Sequence, residues 1–201
     1  DRGFDPRSRQ QRVVIKASFT VHKPGKALAT LRAHVSYLSR DSASLDGAPG
    51  SFIDQERDDV KRGEVVEQVR EWEADRHHFR FIVSPEQAHD LAHTPEGLTG
   101  FTRKLMERME HDLGTKLEWV AIGHHNTDDL HTHVLVRGKR DDGRDLVIPR
   151  KYMSHEMRQA AQEIATEMIG ERTAEQIGEQ MRREIEAQRF TGLDAAIERH
   201  L

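Results

Sequence analysis

Two apolar runs with strand-like patterning, residues 117–122 and 130–136, are separated only by the polar stretch 123–129. A connection that short, with no helix in it, cannot carry the crossover that parallel neighbours need, so the two runs are expected to form an antiparallel hairpin. That hairpin decides much of the fold. A doubly wound parallel sheet is disfavoured, and the remaining elements must pack around a mainly antiparallel sheet.

The rest of the chain supplies those elements. Residues 12–19, rich in β-branched side chains, read as a first strand; Pro24-Gly25 marks a turn. Residues 26–40 then have helical spacing, with Leu28, Leu31, Val35 and Leu38 on one stripe. A loop over 41–63, interrupted by Phe52-Ile53, precedes a short acidic helix over 64–74. Residues 78–83 read as a strand, and Pro85 as a helix-start signal. An amphipathic helix over 98–113 closes at Gly114. Residues 146–148 suggest a last short strand stopped by Pro149, and everything from 150 onward reads as helix broken near Gly170 and Gly192. The expected architecture is α+β, with helices collected on one side of an antiparallel sheet. Residues 1–153 form the expected core, and 154–201 a helical extension that caps it or closes over it.

Cysteine is absent, which excludes disulfides, thiolate nucleophiles and zinc fingers, and leaves His, Asp and Glu as metal ligands. No apolar run approaches the ~20 residues of a membrane-spanning helix. The net charge of −4 argues against a nucleic-acid partner until its distribution is considered. Residues 1–40 carry nine Lys or Arg against Asp1 and Asp5, whereas 41–75 carry eleven acids against four bases. A basic arm and an acidic remainder fit one phosphate-facing surface, although solvated charge accounts for them equally well.

Histidine is plentiful, with 13 residues, and His131 and His133 stand two apart on an expected strand. Alternation sends both rings to one face from Cα atoms about 6.5 Å apart, close enough to converge on one ion. His124, at the end of the preceding strand, can face them across the hairpin; His125 replaces it if the register differs by one. Val134 and Val136 continue the alternation, with Leu135 in the opposite phase to them. Asp128 offers a carboxylate to orient a ligand or bind metal directly. Three imidazoles with open positions serve both to generate a metal hydroxide and to polarise a phosphate, and the cluster alone does not choose.

Tyr37 and Tyr152 are the chain's only tyrosines. Tyr37 lies out of phase with the Leu28/Leu31/Val35/Leu38 stripe, so its hydroxyl need not be buried; a place on the rim of the core is the plainer reading. Taken together, "AHVSYLSRD", "HHFRFIVSPE" and "GHHNTDDLHTHVLVRG" resemble, in order and separation, the three motifs of the HUH relaxases, the mobilisation nucleases of conjugative elements, and most of all their VirD2-like branch. Thr132 stands between the paired histidines where a hydrophobic residue is usual, and Leu130 where a proline is frequent.

The resemblance implies a site- and strand-specific nuclease that nicks single-stranded DNA at an origin of transfer through a 5′-phosphotyrosine and rejoins it by the reverse step. It makes Tyr37 the nucleophile, His124, His131 and His133 ligands of one divalent ion, Asp128 a supporting acid and Ser84 a DNA contact. The ion implied is Mn²⁺ or Mg²⁺, with Zn²⁺ or Ni²⁺ as alternatives. Relaxosome accessory proteins and a type IV secretion coupling protein are implied as partners. The implied location is the bacterial cytoplasm, with transfer beside the DNA as an option. Family members are usually longer, so an N-terminal fragment is expected.

Backbone phosphate contacts are expected from the basic clusters, including Arg12, Lys16, Arg32, Arg40, Arg80, Arg137 and Arg144. Phe79, Trp119 and Tyr152 are the residues available for base stacking, while Trp72 and Trp119 also suit core packing. Two other readings remain open at this point: a phosphodiesterase in which water attacks and Tyr37 is structural, and a non-catalytic DNA-binding module holding a structural metal.

Overall fold

The structure, a computed structural model, describes residues 9–41, 50–124 and 130–197, with side chains for 9–40, 50–124 and 130–186. Five strands form one antiparallel sheet: β1 (Val13–Val21), β2 (Phe52–Ile53), β3 (His77–Pro85), β4 (Trp119–His124) and β5 (His131–Arg137). Their spatial order is β1-β3-β5-β4-β2. The β4–β5 hairpin is the one expected from 117–136, and His124 lies directly opposite His131 in its register.

Strand alternation divides the sheet into two apolar faces. Phe79, Phe81, Val83, Trp119, Ala121, Val134 and Val136 face a larger core. That core is closed by α3 (Ala88–Ala92), α4 (Gly97–Leu113) and α5 (Met157–Ile169). Val120, Ile122 and Leu135 face a smaller one, closed by α1 (Ala27–Asp41) and α2 (Arg62–Arg70). The helices thus flank both faces rather than collecting on one side. Strands such as β4, apolar in both phases, need cover on both.

α1 uses the stripe read from its sequence: Leu31, Val35 and Leu38 are buried. Each such side chain contributes ~1.5–3 kcal/mol on burial, so the helix is firmly seated. Gly25, at φ 71°, turns the chain back from β1 into α1. β1 and β5 both run antiparallel to β3 and therefore in the same direction. A helix returning against β1 consequently runs against β5 as well, and brings its C-terminal turns toward the His131 end.

Several local expectations give way to packing. Residues 146–148 form no strand; Leu146 and Ile148 are buried while Val147 is exposed, and the pairing stops at a single bridge, Lys139 to Asp145. Pro85 ends β3 instead of opening a helix, opposite Val13. The boundary expected after Met153 falls within a π-helical turn, Tyr152–Glu156, and α5 beyond it buries Met157, Ala160, Ala161, Ile164 and Ala165. The final helix, α6 (Ala174–Ile197), runs through Gly192 without a break. Its Met181 and Ile185 are exposed. No helix among the described residues is long and apolar enough to cross a membrane.

Candidate metal centre

Period-two alternation puts His131, His133 and Leu135 on the α1 face of β5, with Thr132 turned the other way. His133 is flanked in register by Ile122 of β4 and Ile82 of β3. His124 reaches the same face from the end of β4, and ligand atoms of the three histidines all lie within 4.8 Å of one another. The Nε2 atoms of His131 and His133 are 3.2 Å apart. Two ligands about 2.05 Å from one tetrahedral ion would stand about 3.3 Å apart, so the spacing fits a shared cation.

Burial, then the neighbouring charges of His124 and His131, holds His133 down at about pKa 3. It therefore stays neutral at physiological pH, the form that ligates metal. Three nitrogen donors with no thiolate suit the borderline ions Zn²⁺ and Ni²⁺ best, and transition-metal Mn²⁺ better than Mg²⁺. Thr132 is buried on the opposite face, where its Oγ1 lies 3.5 Å from Thr102 Oγ1 of α4. A hydroxyl is tolerated at a usually hydrophobic position because it meets another hydroxyl. Asp128 and His125 lie outside the described residues.

Tyr37 is 51% exposed on α1. His34, one turn earlier, is half-buried, and its charge acts on both His133 and His78. Burial, then Arg80, lowers the pKa of His34 itself. Tyr37 is carried about 4.5 Å beyond His34 along the helix axis, toward the histidine end. Sequence reading missed His34; its place three residues before Tyr37 was the available signal.

The expected DNA contacts divide into two groups. Ser84 lies beside the metal site, donating to the Leu130 carbonyl at 3.4 Å. Ser84, Lys16, Arg12, Leu130 and His131 line one groove of about 490 Å³ that leads away from the histidines. Lys16 is exposed, as is Arg40 at the end of α1. The Nε atoms of Arg32 and Arg80 are buried without hydrogen bonds. Arg12 is held by Glu184 of α6 at 2.8 Å and by Glu86 at 3.7 Å.

Arg137 and Arg144 are not brought to this groove. Arg137, four residues beyond His133, is held by Asp75 at 2.7 Å and Glu118 at 2.8 Å. Arg144 pairs with Asp142 at 2.6 Å, and Lys139 with Asp145 at 2.7 Å. The basic stretch after β5 is thus largely neutralised by its own neighbours. Phe79, Trp119 and Tyr152 are buried and offer no free ring to a base; the exposed aromatic side chains among the described residues are Phe19 and Tyr37.

Comparison with curated proteins gives no match for the chain. Residues 63–170, just over half of the chain, match the relaxase family, described as the MobA/VirD2-like nuclease domain. The match takes in β3 and all three clustered histidines but begins beyond Tyr37. A histidine centre at the end of an antiparallel β-hairpin, within the matched region, identifies the chain as a member of the MobA/VirD2-like relaxase family of DNA-nicking nucleases.

Proposed function

We propose that the domain cuts one strand of single-stranded DNA at an origin of transfer, with Tyr37 as the nucleophile, and reseals it by the reverse reaction. The observation that carries this reading is the metal-competent histidine cluster at the end of the sheet toward which α1 carries its exposed Tyr37. The Tyr37 oxygen attacks phosphorus, its Oη–P bond forms, and the P–O3′ bond breaks. The phenol loses its proton and the departing 3′-oxygen gains one. The 5′-phosphotyrosine retains the energy of the ester, so the 3′-hydroxyl can attack in return and restore the strand without ATP.

His124, His131 and His133 would hold a divalent cation, which supplies positive charge to the non-bridging oxygens of the scissile phosphate. Lys16 and Ser84 line the groove along which the strand leaves the centre, and Arg32, Arg40 and Arg80 add positive charge on the α1 side. Asp128 receives a supporting role on the strength of the family resemblance. Accessory relaxosome proteins, a secretion coupling protein and a place in the bacterial cytoplasm follow from the same family.

Incubation of a labelled single-stranded origin oligonucleotide with Mn²⁺ tests the reading. The expected product is an SDS-stable protein–DNA adduct, absent from Tyr37→Phe and from EDTA-treated protein. Cleavage that persists undiminished in Tyr37→Phe would instead assign the attack to water.

A further inference from the structure

β1 is an edge strand; its nine residues, Val13–Val21, pair only with β3. Among the described residues, no backbone hydrogen bond from a loop or helix reaches 13–21. A free edge of this length is a template for another extended chain, and proteins usually blunt such edges with charge or proline. Here Lys16 is the strand's one charged residue, and it has no proline.

On the α5 side of that edge, Ile15, Ala17 and Phe19 face Met153, Arg150 and Arg158 across a groove of about 650 Å³. It lies on the face of the sheet opposite the histidines, and Phe19 is 57% exposed in it. No acid lines the groove. Arg150 and Arg158 have no ion-pair partner among the described residues, whereas nearby Lys139, Arg144 and Lys151 each have one.

We propose that this edge docks an extended segment of a partner protein as a sixth strand beside β1, its groove-facing residues, every second one, being apolar in the middle and acidic at the ends. The segment's backbone would satisfy the free donors and acceptors of β1. Its apolar phase would lie beside Ile15, Ala17 and Phe19, acids at its ends would meet Arg150 and Arg158, and its other phase would run beside Lys16. A second copy fits poorly, because pairing two β1 edges brings their cations together. Nucleic acid would satisfy the arginines but leave the strand's amides and carbonyls unmatched. The groove and the histidine centre occupy opposite faces, and Lys16 is the residue that partner and DNA would share.

A random nine-residue peptide library panned on the immobilised domain, with an Arg150→Glu/Arg158→Glu variant for subtraction, tests this. Enriched peptides should carry apolar residues at every second position, with acids at the ends of that same phase. A labelled synthetic copy should bind wild-type protein saturably, at least tenfold more weakly to the arginine variant and to Phe19→Asp, and slow amide exchange across 13–21. The arginine substitutions are on exposed residues, so that arm stands even if Phe19→Asp fails to fold. No enrichment, or enrichment without acids, overturns the proposal. Displacement of the peptide by a single-stranded oligonucleotide overturns it in favour of a nucleic-acid surface, and a concentration-dependent dimer lost in Phe19→Asp does so in favour of self-association.

Discussion

The Nε2 atoms of His131 and His133 approach to 3.2 Å, with His124 facing them across the hairpin. Neutral imidazoles this close are preorganised for one cation, so little rearrangement should accompany its binding. Calorimetric titration is expected to give one site per chain, with Mn²⁺ at least tenfold tighter than Mg²⁺. His133→Ala should abolish the site, and metal at 100 times its Kd should stabilise wild-type protein by about 2.7 kcal/mol.

His78 is almost wholly buried, and its Nδ1 lies 2.8 Å from His22 Nε2. His22 Nδ1 donates to the Asp75 carbonyl, so neutral His22 presents Nε2 as an acceptor and His78 Nδ1 is the donor. Burial, then His22, pulls the His78 pKa down to about 3. The folded state therefore binds fewer protons than the unfolded one: the stability is intact above about pH 6.5 and is lost as pH falls from there toward 3. Between pH 6.5 and 5 the loss is about 2 kcal/mol. Urea melts across this range should show it, and His78→Gln should reduce the pH slope by about one proton.

Arg137 and Lys16 should separate stability from DNA affinity. Arg137 bonds to a nearly buried Asp75, so Arg137→Ala leaves that carboxylate stranded and should cost about 2–3 kcal/mol, below the 3–5 typical of full burial because Arg137 is partly exposed. Its salt dependence of single-strand binding should match wild type. Lys16→Ala should leave the melting temperature within about 1 °C, as surface substitutions do, and reduce the slope of log K against log salt by about 0.7.

The contrast between those two residues marks what the sequence could disclose. His131 and His133 share a face because of a two-residue spacing, a purely local fact, and the short polar link then aligned His124 with them. The exposed side of Tyr37 followed likewise from its phase on α1. The ion pair of Arg137 was not legible, because its partner Asp75 is 62 residues away and meets it only after β5 is paired with β3. Phe79 and Trp119 carried no local sign of which sheet face they would occupy, and Tyr152 none of the core it would enter from its π-helical turn. The second helical layer was equally hidden, because it depends on strands that are apolar in both phases.

Thr132→Val tests whether the departure from the family pattern matters. Thr102 Oγ1 still donates to the Leu98 carbonyl at 2.8 Å, so removing the Thr132 hydroxyl strands nothing. Stability should change by less than about 1 kcal/mol, and metal affinity by less than threefold.

The covalent step admits the most direct measurement. Protein trapped on an origin oligonucleotide with Mn²⁺, digested with nuclease and protease, can be sequenced by tandem mass spectrometry. The expected spectrum places a 5′-linked nucleotide on Tyr37, in the peptide Ala33-His34-Val35-Ser36-Tyr37-Leu38-Ser39-Arg40. A nucleotide carried by any other residue, or cleaved DNA bearing a free 5′-phosphate with no adduct at all, would contradict the account.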